Sequence, residues 1–352
     1  MTDRRRGRML LAAACLTLAA PAASKTTRAC PAGDGISFLC GLRNAEDIVA
    51  IPGSDLLVGS SSRGNGNPDG ALFLIDTRAR TSARLVPDWG GTPLPAYAAC
   101  PGAPDSAHFN PHGIALRQSA DGSHLLYVVN HGGREAIELF TLTTRGANAS
   151  ARWAGCVVLP EGASGNGVAP LADGGFAATQ FFDTRRGDMI TQLVELQKTG
   201  AAYLWHPGRG FSTIPGSAHS GDNGIDVSVD GKWLFVAMWP EKRIVRFALA
   251  GDAPPVSIPL DFMPDNIHRA ADGSLLIGGH ATDIRALISC GAPPCPVDWA
   301  IARLDPATMR LTSVRREKGT PSFGGATGAA EANGALWIGT ARGDRIAILP
   351  LR

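Results

Sequence analysis

Glu46, Asn166, Asn223, Asp265 and Asn266 offer hard carboxylate or amide oxygens, and they recur in one setting along the chain. Each stands a few residues ahead of a turn pair and a short apolar run. Glu46 precedes Ser54-Asp55, Asn166 precedes Asp173-Gly174, Asn223 precedes Asp230-Gly231, and Asp265-Asn266 precede Asp272-Gly273. Two further repeats place His112 before Asp121-Gly122 and Thr327 before Asn333-Gly334. Oxygens without a thiolate suit calcium, which takes about six to eight hard ligands, whereas zinc prefers nitrogen and sulfur. Taken singly, each Asn or Asp is explained as a turn former that bonds its own backbone. Recurrence at the same phase of different repeats favours the ligand reading. His112, replacing an oxygen at that phase, is the candidate general base for a water attacking an ester or lactone carbonyl polarised by the cation.

Such a constellation needs elements that bring distant repeats to one axis. The turn pairs open apolar runs such as Leu125-Leu126-Tyr127-Val128-Val129, Trp233-Leu234-Phe235-Val236, Leu275-Leu276-Ile277 and Leu336-Trp337-Ile338. Runs this short, bounded by Gly, Asp, Asn or Pro, read as strands, and no long amphipathic helix is present in the pattern. With Gly 43 and Pro 25 the chain is rich in turns, and with 18% charged residues it has ample apolar material for a core. The repeats are spaced about 40 to 65 residues apart, enough for a four-stranded blade each. The expected fold is therefore all-β, a six-bladed β-propeller with a central channel. A β-sandwich would not repeat one strand-turn-strand unit six times.

Residues 1–24 read as a secretory signal peptide: Arg4, Arg5, Arg6 and Arg8 precede an apolar stretch from Met9 to Ala20, followed by small residues. The stretch is short for a membrane span. Arg4-Arg5 and Cys15 raise twin-arginine and lipoprotein export as alternatives to ordinary cleavage. Residues 25–352 are left as a single propeller domain. Removing the leader shifts the formal charge from +2 to about −1, so no basic surface argues for nucleic acid. Six cysteines remain, an even set suited to a secreted or periplasmic protein. Cys290 and Cys295 flank Gly-Ala-Pro-Pro and staple one loop. Of the fifteen possible connectivities, Cys30 with Cys40 and Cys100 with Cys156 is the favoured remainder.

Glu46-Asp47-Ile48, Phe109-Asn110-Pro111-His112-Gly113-Ile114, Val128-Val129-Asn130-His131, Glu138-Leu139-Phe140, Asn223-Gly224-Ile225 and Asp265-Asn266-Ile267 resemble the paraoxonase/arylesterase family. They keep the family's order from about residue 40 to the C-terminus. The Asn-Gly-Ile pattern is shared with gluconolactonase- and regucalcin-like propellers. The resemblance implies a catalytic calcium held by Glu46, Asn166, Asn223, Asp265 and Asn266, a catalytic pair His112 and His131, and a pocket histidine at His280. It also implies a structural calcium using Asp47 and the carbonyl of Ile114, but Gly167 stands where its other carboxylate is expected. The family's disulfide to the last strand has no partner cysteine here, so Cys40 pairs elsewhere or stays free. Thr179-Gln180-Phe181-Phe182-Asp183 departs from the family pattern and alters the pocket wall.

The expected function is that of a secreted calcium-dependent lactonase and arylesterase acting on a small-molecule substrate. A sugar lactonase and a non-enzymatic binding propeller are the alternatives. His108, His124, His206, His219 and His268 lack a repeat phase and read as surface or loop residues.

Overall fold

The six turn pairs are the hairpins between the first and second strands of six blades. The computed structural model describes residues 27–33, 35–64, 67–291 and 295–351, so the leader lies outside the described residues. The innermost strands are Ala45–Ala50, Pro111–Gln118, Ala163–Pro170, Asp222–Val227, Met263–Arg269 and Ala326–Ala332. Blades two to five are four-stranded antiparallel sheets built from consecutive strands. The protein is a six-bladed β-propeller, not a sandwich. In the hairpins, Asp121, Asp173, Asp230 and Asp272 accept backbone N–H bonds two residues on, as Asx turns do.

The ring closes by strand pairing. Ile36–Cys40 is the outer strand of the last blade, with Phe38 opposite Ala347 and Leu39 opposite Ile346. The preceding strand Thr27–Gly33 pairs with it and also with Thr81–Leu85 of the first blade. The disulfide Cys30–Cys40 ties these two N-terminal strands together, so Cys40 is paired. Cys100–Cys156 and Cys290–Cys295 form as well.

Each blade is pressed between two neighbours, so its second strand is covered on both faces and reads as continuous apolar sequence. Leu56–Ser61, His124–Asn130, Leu275–His280 and Ala335–Thr340 are buried throughout. Six apolar clusters fill the six interfaces between blades. Leu72 and Val58 meet Leu126, Phe140 and Trp153 between the first two blades, and Leu57 and Ile75 meet Trp337 and Ile346 where the ring closes. Each such buried Leu or Phe contributes about 1.5–3 kcal/mol. His124, expected at the surface, is buried in this packing because it lies on a covered second strand.

A seventh cluster has a different place. Leu193, Trp239, Met263, Leu287 and Cys295 pack together with Phe181 at one end of the channel. Two short helices, Met189–Val194 and Ile284–Ser289, supply Leu193 and Leu287. Asp188 and Asp283 cap them by accepting the Thr191 and Ala286 N–H groups.

Candidate active site

All six innermost strands break their ladder at the residue the repeats single out. Regular pairing is interrupted between Ala45 and Asp47, Pro111 and Ile114, Gly165 and Val168, Asp222 and Ile225, Pro264 and Ile267, and Ala326 and Ala329. Glu46, His112, Asn166, Asn223, Asp265-Asn266 and Thr327 fall inside these irregularities. A bulge releases a residue from the ladder and re-aims its side chain. The repeat is thus a series of bulges around one axis. Glycines permit the close approach this demands: a Cβ on Gly113 would lie 2.1 Å from the Asn166 carbonyl oxygen, and one on Gly224 would lie 2.3 Å from that of Asp265.

Glu46, His112, Asn166, Asn223, Asp265 and His280 line a single cavity of about 180 Å³ beneath the cluster of Phe181, Trp239 and Leu287. Glu46 Oε2, Asn166 Oδ1 and Asn223 Oδ1 are buried there without a hydrogen-bond partner. Buried oxygens are rarely left unpaired because desolvation costs about 1–3 kcal/mol each. Asn266 stands behind Glu46, its Nδ2 donating to Glu46 Oε1 at 2.8 Å. Thr327, the repeat position without an amide or carboxylate, donates its hydroxyl to the Glu46 carbonyl. Burial and the Glu46 carboxylate push the Asp265 carboxyl well above its usual range. Two crowded carboxylates with orphaned amide oxygens have the chemistry of a hard-cation site. Among the described residues no group of three or more His, Cys, Asp or Glu forms a metal cluster, so the amides are needed to complete it.

His112 Nδ1 lies 2.8 Å from His131 Nε2, and His131 Nδ1 lies 2.9 Å from Glu135 Oε1. Glu135 is in turn held by the Gly165 N–H at 3.1 Å. A carboxylate only accepts, so His131 carries its proton on Nδ1, its Nε2 accepts from His112 Nδ1–H, and His112 Nε2 is left as the basic nitrogen. That nitrogen faces Glu46 Oε1 at 3.4 Å. Burial works against charge on His112, but Glu46, Asp265 and Asp47 outweigh it and raise the imidazole to about 9. His280 behaves oppositely. Burial and the Arg342 charge depress it to about 3, and it accepts a hydrogen bond from Trp239 Nε1 at 3.1 Å.

Two residues that bond candidate site residues escaped the sequence pattern. Glu135 lies in a loop with no repeat phase; its only signal is a carboxylate four residues after His131. His268, read as a surface or loop residue, is half-buried on the innermost strand Met263–Arg269, and its Nε2 bonds Asp47 Oδ1 at 2.5 Å. The other Asp47 contacts are the N–H groups of Ile48 and Ile114, each at 2.9 Å. Ile114 therefore offers Asp47 its N–H. A Cβ at Gly167 would meet the Asn223 carbonyl oxygen at 2.8 Å, so no carboxylate can be added there without a shift. Asp47 is thus held by protein donors.

Fold and site together define a six-bladed propeller with a polar, histidine-edged cavity at one end of its channel. Residues 66–345 match the arylesterase family model, and the chain belongs to the arylesterase family. Several solved structures share the fold. They include a luciferin-regenerating enzyme (12% identity, TM-score 0.54, 88% of this chain and 93% of that one) and a putative gluconolactonase (15%, 0.52, 94% and 93%). A gluconolactonase of Xanthomonas campestris is similar at 18% identity, TM-score 0.50, over 94% and 96% of the two chains. No curated protein matches in sequence.

Proposed function

We propose that the protein is an exported, calcium-dependent hydrolase of lactones and aryl esters. One observation carries this reading: three unpartnered buried oxygens line the same small cavity as His112, whose ring is coupled to His131. Glu46, Asn166, Asn223, Asp265 and Asn266 would hold calcium, which when bound supplies Lewis-acid polarisation of the substrate carbonyl and stabilises the developing oxyanion. His112 Nε2 takes the proton from the attacking water, and the charge is shared with His131 through the 2.8 Å contact. Glu135 fixes the tautomer that leaves Nε2 basic. Phe181, Trp239 and Leu287 wall the cavity against water and suit an apolar substrate body.

The leader and three disulfides support an oxidising destination, outside the cell or in a periplasm. Among the described residues no helix is long and apolar enough to cross a membrane. The deciding assay measures phenyl acetate and aliphatic lactone hydrolysis with calcium and after chelation. Activity lost with the chelator and restored by calcium is expected; full turnover in chelated protein overturns the proposal.

A further inference from the structure

Among the described residues, the cavity wall carries an arginine that no carboxylate pairs with. Arg342 lines the cavity, half-buried, and its charge reaches His280. Its Nη1 donates to the carbonyls of Leu287 at 3.1 Å and Cys290 at 2.9 Å. These bonds anchor the side chain but engage one nitrogen of the three. Among the described residues, no Asp or Glu oxygen lies within ion-pair distance of the guanidinium, and its Nε and Nη2 have no protein acceptor. A guanidinium carries about five N–H donors in a planar fork matched to a carboxylate. Capping two carbonyls does not need that fork, and withdrawing the charge from water is costly unless a counter-ion arrives. The same cavity is lined by the apolar Phe181, Trp239 and Leu287 as well as by the polar residues around Glu46 and Asp265.

We propose that Arg342 is the anion-recognition group of this cavity, so that the preferred substrates are small lactones or aryl esters bearing a free carboxylate. The substrate class rests on the hydrolase reading above; the anion site does not. The carboxylate pairs with the free edge of the guanidinium, while the ring or alkyl body lies against Trp239 and Phe181. Arg342 then acts on substrate affinity and leaves the water-activating pair unchanged.

Calorimetric titration of the mature protein with 4-hydroxybenzoate and with neutral 4-hydroxybenzamide tests the anion site directly. The carboxylate is expected to bind about 10- to 100-fold more tightly, and Arg342→Gln is expected to abolish the difference. In parallel, 4-acetoxybenzoate should be hydrolysed with a lower KM than its methyl ester, a difference in KM that Arg342→Gln removes. Equal affinity of the wild-type protein for acid and amide overturns the proposal, a comparison that holds even if the variant fails to fold. A preference that survives Arg342→Gln overturns it too. Arg342-dependent binding of the acid without hydrolysis of either ester upholds the anion site and refutes the hydrolase reading.

Discussion

His131 stands between His112 and Glu135, with Nε2 2.8 Å from one and Nδ1 2.9 Å from the other. In the proposed mechanism these residues stand in order behind the attacking water, His112 first, then His131, then Glu135. His112→Gln removes the base itself and is expected to lower kcat about 10²–10⁴-fold. Glu135→Gln leaves both rings in place but gives His131 a partner that can also donate, which frees the wrong tautomer. A smaller fall, at least about 10-fold in kcat with KM nearly unchanged, is expected. Steady-state kinetics on phenyl acetate separate the two, and a wild-type kcat in Glu135→Gln would remove Glu135 from the relay.

The elevated His112 imidazole has a consequence for metal binding. Its value of about 9, against an ordinary 6.5, comes from Glu46 and Asp265 overcoming burial. In the metal-free protein the contribution to stability is complete below pH 6.5 and lost as pH rises through about 9. A cation on those carboxylates removes the cause, so calcium binding should release a proton near neutral pH and tighten as pH rises across this window. Titrations in buffers of different ionisation enthalpy measure that proton. Binding without proton release contradicts the assignment.

Gly113 tests the bulged ring. A Cβ there would meet the Asn166 carbonyl oxygen at 2.1 Å, a backbone atom fixed by its own blade. Gly113→Ala is expected to destabilise the protein by about 1–3 kcal/mol or more and to weaken calcium binding, because both blades supply site residues. Thermal unfolding with and without calcium reads both effects, and an unchanged melting temperature speaks against this close approach.

The three disulfides should differ in worth. Cys100–Cys156 closes a separation of 56 residues and Cys30–Cys40 one of 10. Chain-entropy reasoning gives about 4 kcal/mol for the first and about 3 kcal/mol for the second. Paired Cys→Ser variants compared by denaturant unfolding should follow that order. The second pair should also loosen ring closure, because it ties the strand that completes the last blade.

The fold was legible because its signal repeats. Turn pairs at Asp121-Gly122, Asp230-Gly231 and Asn333-Gly334, each followed by an apolar run, report local chemistry that a chain segment carries within itself. Burial of the second strands on both faces then makes runs such as Leu125 to Val129 continuous rather than alternating. His124 is buried for the complementary reason. A histidine's exposure depends on which blade covers it, and this residue carries no local mark of that.

The sequence by itself determined the repeat, the number of blades and the chemical type of the residues at each repeat's phase, because these are properties of short segments and their spacing. Tertiary structure alone decided what those residues do together. It put Glu135 behind His131 and gave the Asp47 carboxylate to His268 and the Ile114 N–H. It also brought Arg342 to a cavity that begins with Glu46 at the other end of the chain. Such contacts join residues from different blades or loops, and their energies depend on distance and burial, which no spacing along the chain encodes.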